Sequence, residues 1–220
     1  MEVKPNIALE IIRTHIVITR GLTIASNNCK LFSGTESPDK ALLEGFLNYT
    51  HCLMQILDAH HKAENEIAFP FYKTVIAEMP IELLMKNHEE IVVLISQINK
   101  EMEEYSKNPD KKAFDRIEAA LESIITIWYP HIRIEERFVN IDSMDKLVET
   151  EKQAKLIQEM REFSMKHMAP DYLVMPFILY NLSKQDREAL AGMLPPILTQ
   201  KLVPIDWKPK WETMKRYLLK

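Results

Sequence analysis

The sequence has little glycine, four residues in 220. That excludes a glycine-rich phosphate loop and leaves few sites for tight turns, so helices are favoured. Cysteine is scarcer still, at two residues. Cys29 and Cys52 form neither a CxxC pair nor a zinc-finger spacing, so reduced thiols in a cytoplasmic protein are expected. Both read most simply as buried small hydrophobes. No apolar run reaches the roughly 18 residues needed to span a bilayer, and residues 1–15 show no secretory-leader pattern, so no membrane association is expected. A strong basic field is also missing. The formal net charge is −4, and nothing favours nucleic acid as a partner. The locally basic last twenty residues read as a solvated helix face. Glu-x-x-His occurs nowhere, which disfavours a ferritin-like carboxylate oxidase, and no nucleotide, flavin or NAD motif is present.

What is there is helical periodicity. Pro5 and Asn6 open a pattern in which Ile7, Ile11, Ile18 and Leu22 share one face to about residue 32, where Gly34 and Thr35 break it. Ser37-Pro38 reads as an N-cap followed by proline in the first turn of a second helix. That helix runs to about 67, and Phe69-Pro70 is expected to end it. A third helix covers 81 to about 105, after Pro80. Asn108-Pro109-Asp110 makes a turn. A fourth helix runs from about 111 to 140, with a kink or irregular turn expected at Pro130. The fold class is therefore all-α: an up-down-up-down four-helix bundle over 1–145. A C-terminal all-helical appendage over 146–220 is expected to pack on it. It begins with a charged helix near 145–167 and continues in shorter pieces punctuated by prolines, one of them opened by an acidic capping box at Ser183 and Asp186.

The chemistry lies in the histidines. Four of the seven fall one per long helix: His15, His60, His88 and His131. The second and fourth helices carry the same pair, His60 with Glu64 and His131 with Glu135. HxxxE places both side chains on one helix face, a turn apart. All six residues lie on apolar stripes. His60 is flanked by Leu53, Ile56, Leu57 and Ala63, His131 by Ile124, Ile127, Trp128 and Ile134, His88 by Leu84, Met85, Ile91 and Ile95, and His15 by Ile11, Ile12, Ile18 and Leu22.

Burying two ionised glutamates in an apolar core costs several kcal/mol each without a partner, and no lysine or arginine shares those stripes. Two divalent or trivalent metal ions would supply the missing charge. Imidazole suits iron and zinc, and carboxylates can bridge two ions. Six protein groups are too few to fill two octahedral ions, which leaves positions for a small ligand. One such histidine would be read as a core residue; four, with two carboxylates at matched spacing, reverse that reading. His61 is expected to point off the His60 face, in a surface or supporting role. His51 falls on the opposite side of its helix, and His167 is expected to be exposed. Tyr49, Met85 and Trp128 read as packed core.

The stretch His60-His61-Lys62-Ala63-Glu64-Asn65-Glu66-Ile67-Ala68-Phe69-Pro70 resembles the HHxxExExxFP signature of the hemerythrin-like, or HHE cation-binding, family. The order single His, HxxxE, single His, HxxxE extends the resemblance over about residues 5–145. It implies a four-helix bundle around two iron ions joined by a bridging oxo or hydroxo group, with Glu64 and Glu135 each bridging both. It also implies dioxygen or another small diatomic or peroxide ligand as the partner. The chain departs from the oxygen-carrying members on the third helix. They carry HxxxH there; here Leu84 and Val92 stand at −4 and +4 from His88, so one iron lacks a histidine. That weakens the expectation of stable oxygen carriage and moves it toward oxygen or iron sensing, or toward chemistry with peroxide or nitric oxide. The expected function is to bind or sense dioxygen or a related small molecule. The alternatives are a di-iron oxidoreductase acting on peroxide, nitric oxide or oxygen, or a protein of iron homeostasis.

Overall fold

A computed structural model describes residues 4–33, 39–110 and 112–219, and among these all regular structure is helical. Four long helices, α1 (Ile7–Phe32), α2 (Lys40–Ala63), α4 (Ile81–Lys107) and α5 (Ala113–Phe138), carry the fold. α1 and α4 each pack against both α2 and α5, which closes a four-helix bundle. Each helix turns one apolar stripe inward, as the periodicity requires.

The helix ends follow local chemistry. Asn6 caps α1, its side chain accepting from the amides of Ala8 and Leu9. Ser37 and Pro38 lie outside the described residues; Asp39 caps α2 by accepting from Leu42 N at 2.8 Å. Phe69-Pro70 does not end the second helix. α2 passes into a π-helical turn, Glu64–Ala68, in which Phe69 N–H bonds back to Glu64 O, and then into α3 (Phe69–Val75). Pro70 thus falls in the first turn of α3, where its missing amide is tolerated. α5 remains α-helical across Pro130 and ends at Phe138. Asn140 and Ser143 then form a capping box that starts a separate short helix, α6 (Ile141–Leu147).

Beyond α6 come α7 (Thr150–Lys166), α8 (Asp171–Tyr180), α9 (Lys184–Ala191), a π-helical stretch Leu198–Asp206, α10 (Lys208–Trp211) and a 3-10 segment Glu212–Tyr217. Ser183 caps α9, accepting from Asp186 N at 3.1 Å. α7 crosses α1 and α2, while α8 and the 3-10 segment pack on α2. Gln153, fully buried on α7, accepts from Ile7 N at 3.0 Å and donates to Met144 O and Val148 O at 3.1 Å each. A second tie joins Arg20 of α1 to Tyr49 of α2, to Asn181 and to Tyr217 O.

The apolar interior is split. One cluster holds Val17, Ile18, Leu57, Ala59, Ile91, Ile124 and Trp128. A second holds Ile7, Ile11, Ala68, Phe69, Leu84 and Val139, and a small third one, Met175, Leu179 and Val203, lies among the C-terminal helices. His15 lies between Ile11 and Val17, His88 between Leu84 and Ile91, and His131 between Trp128 and Val139. A polar layer therefore crosses the bundle between two apolar clusters, and the site sits in it. No helix among the described residues is long and apolar enough to cross a membrane.

Candidate metal centre

All six candidate residues arrive in that layer, none more than 6 % exposed. Glu64, at the start of the π turn, lies 3.2 Å by Oε1 from His60 Nε2 and 3.4 Å by Oε2 from His88 Nε2. Glu135 Oε2 lies 3.1 Å from His15 Nε2 and 4.0 Å from His131 Nε2. Each carboxylate thus stands between histidines of two different helices.

The supporting hydrogen bonds fix two of the imidazoles. His15 Nδ1 meets Glu136 Oε1 at 2.8 Å, and His88 Nδ1 meets Asn65 Oδ1 at 2.8 Å. An oxygen without a proton can only accept, so both Nδ1 atoms carry a hydrogen, and both Nε2 atoms face inward toward a carboxylate. Aromatic rings wall the layer: Phe69 stacks on His88 at 5.4 Å, and Trp128 meets His15 edge-on at 5.3 Å.

Electrostatically the layer is strained without a cation. Burial drives the Glu64 carboxyl well above the carboxylate range, and Glu135 adds to the shift. Burial acts on Glu135 in the same direction, but the neighbouring imidazoles, His15 first, outweigh it and hold that carboxyl low. Burial alone would lower His15, yet Glu135 and Glu136 raise it. His88 and His131 are pushed down by burial, to about 3 and about 4.

Many polar atoms of the layer lack a hydrogen bond of sound geometry: both oxygens of Glu64 and of Glu135, Nε2 of His15 and of His60, both nitrogens of His61, and Nδ1 of His131. An unsatisfied buried polar atom costs about 1–3 kcal/mol. Unpartnered lone pairs aimed at a common centre fit a metal ion. Among the described residues, two groups have ligand atoms close enough to hold one: His15, His60, Glu64 and Glu135; and His61, His88 and His131.

His61 departs from the sequence reading. It is 1 % exposed and stacks on His88 at 3.9 Å, so it is no surface residue. Glu136, Asn65 and Tyr72 also went unread. Tyr72 is fully buried beside the two carboxylates, with its hydroxyl unpartnered. Their signal was position alone: Glu136 follows a candidate ligand, Asn65 follows another, and Tyr72 lies eight residues beyond Glu64 on the continued helix. The remaining side chains fall as expected. His51 and His167 are exposed. Tyr49 is a core residue, donating to Asn181 Oδ1 at 2.8 Å. Cys29 and Cys52 are free and buried, their thiols pushed up to about 12 chiefly by burial.

A cavity of about 200 Å³ opens between α1, α2 and the α7–α9 helices. Ile11, Ile56, Met160, Met175 and Leu190 line it, and so does His60, the most exposed of the candidate residues.

No curated protein and no solved structure matches the chain. The hemerythrin HHE cation binding domain does match it, over residues 11–140. That span runs from α1 to the cap of α6, takes in the whole histidine and glutamate layer, and covers more than half of the 220 residues. A buried layer that could hold metal ions is what a cation-binding bundle needs, and the chain belongs to the hemerythrin HHE cation binding domain family.

Proposed function

We propose that this protein is a non-haem di-iron protein that binds or senses dioxygen or a related small molecule at a carboxylate-bridged site. His15, His60, Glu64, His88, His131 and Glu135 are the proposed iron ligands. One observation carries the reading: each of Glu64 and Glu135 stands between two histidines that belong to different potential metal groups. A carboxylate so placed can serve two ions at once. Bound iron would supply a redox couple and an open position for a small ligand.

The chain's own residues prepare that site. Glu136 and Asn65 orient His15 and His88. The two apolar clusters keep bulk water from the layer, which strengthens every charge interaction inside it. Residues 146–220 act in this reading as an extension of the bundle, covering its α1/α2 face rather than forming an independent unit.

The cavity against His60 favours a second reading, a di-iron oxidoreductase acting on peroxide, nitric oxide or oxygen, because it leaves room for a reactant to approach. Elemental analysis and visible spectra before and after reduction and re-oxygenation separate the two. Two irons per chain with oxo-bridge absorption that changes reversibly with oxygen are expected for binding or sensing. Irreversible oxidation, or turnover of peroxide or nitric oxide, would move the assignment to the enzyme. No stoichiometric metal after reconstitution with ferrous iron would end both.

A further inference from the structure

His61 is a buried imidazole whose two ring nitrogens both lack a hydrogen-bond partner. Such a group costs stability unless something satisfies it. The rings packed on it are those of His60, His88, Trp128 and His131.

One residue past His60 on α2, His61 is turned by about 100° around the helix axis. The turn carries it toward α4 and α5. Its ring lies parallel to that of His88, 13° apart at 3.9 Å, and 5.8 Å from that of His131. His88 Nε2 and His131 Nε2 are 3.2 Å apart. One neutral ring can donate to the other across that gap, and a shared cation would instead take the lone pairs of both. A nitrogen from each of the three rings lies within 4.8 Å of the others.

We propose that His61 is a metal ligand, forming with His88 and His131 a three-histidine set for one ion, while His15 and His60 serve the other. The inference rests on the metal reading above and deepens it. α4 offers a single histidine, with Leu84 and Val92 a turn to either side, and α2 supplies the nitrogen that α4 lacks. Both carboxylates reach the two sets, so one ion has three nitrogens and the other two. The ions are then inequivalent, with the nitrogen-rich position on the α4/α5 side.

The test compares wild type, His61→Ala and His51→Ala, each reconstituted with ferrous iron and measured for metal content and circular dichroism. Wild type and the exposed-histidine control are expected to hold two irons per chain, and His61→Ala about one, with helicity kept. His61→Ala with two irons and an unchanged visible spectrum would overturn the inference and leave the di-iron reading standing. An iron-free wild type would overturn both. Should His61→Ala fail to fold, the cobalt(II)-loaded wild type decides: five histidines with hyperfine-shifted ring protons are expected, and four would overturn the proposal.

Discussion

His15 on α1 and Glu136 on α5 are joined Nδ1 to Oε1 at 2.8 Å. The contact holds the ring so that Nε2 faces Glu135 and the layer. A carboxylate behind a ligating imidazole fixes its tautomer and raises its basicity, and losing such a partner typically weakens metal binding 10–100-fold. The Glu136 side chain is 37 % exposed, so removing it leaves no cavity in the core. Glu136→Ala is therefore expected to lower iron affinity by roughly 10–100-fold with little change in folding. Competition against a chelator of known affinity measures it; affinity equal to wild type would show that His15 needs no such support.

Removing the metal is expected to loosen the bundle. Glu64 and Glu135 have no lysine or arginine partner among the described residues, only histidines. A ligand present at about 100 times its Kd stabilises the folded state by roughly 2.7 kcal/mol. For a chain of this size that corresponds to about 5–10 °C in Tm. Melting followed by circular dichroism with and without a chelator checks it. Equal melting temperatures would mean that the layer is satisfied without metal.

The bundle and six of its polar residues were legible in the sequence because burial demands a stripe, and His15, His60, His88 and His131 interrupt four stripes at matching places. His61 was not legible because a stripe is read one face at a time. α2 is buried almost all round: α1, α4, α7, α8 and the 3-10 segment each cover part of it. A residue off the His60 face therefore points into α4 rather than into water. The run from Tyr49 to Ala63, with few charges on any side, held that information. The continuation past Pro70 was hidden for a different reason. A proline forbids an α-helical hydrogen bond, but not the π turn that precedes it here.

Acid is expected to weaken the metal-free protein. Burial depresses His88 to about 3 and His131 to about 4 from an ordinary 6.5, and His60 and His61 lie well below it too. Between the folded value and 6.5 the unfolded chain binds more protons at these four residues, so stability rises with pH across that window. His15 and Glu64, whose values are raised, act the opposite way and lose their contribution as pH rises through the folded value. Four groups against two set the expected sign. Above about pH 6.5 urea midpoints should fall as the raised pair loses its contribution; below it, from pH 5, they should climb. A profile that falls over that range would show that the raised pair dominates.

Gly45 gives a prediction opposite in sign to helix propensity. It lies inside α2, where alanine would ordinarily be about 1 kcal/mol better than glycine. A Cβ built there would stand 2.0 Å from Thr213 O and 2.5 Å from Thr213 C, both backbone atoms. No rotamer change relieves that contact, so the 3-10 segment Glu212–Tyr217 must lift. The segment carries Met214 and Tyr217 into the core, and the Tyr217 hydroxyl donates to Leu42 O at 2.8 Å. Gly45→Ala is expected to cost about 1–3 kcal/mol, the range of overpacking in a closed core. Gly192 is the control, since its nearest atoms are 3.5 and 3.6 Å away. Gly192→Ala should change stability by less than about 1 kcal/mol. Gly45 is fifteen residues from His60, about 22 Å along the helix, so iron content should stay at the wild-type level in both variants. Urea unfolding and limited proteolysis give the readout: a lower midpoint and new cleavage within residues 206–219 are expected for Gly45→Ala alone. A Gly45→Ala protein as stable as wild type would mean that the C-terminal segment can move off α2 at little cost.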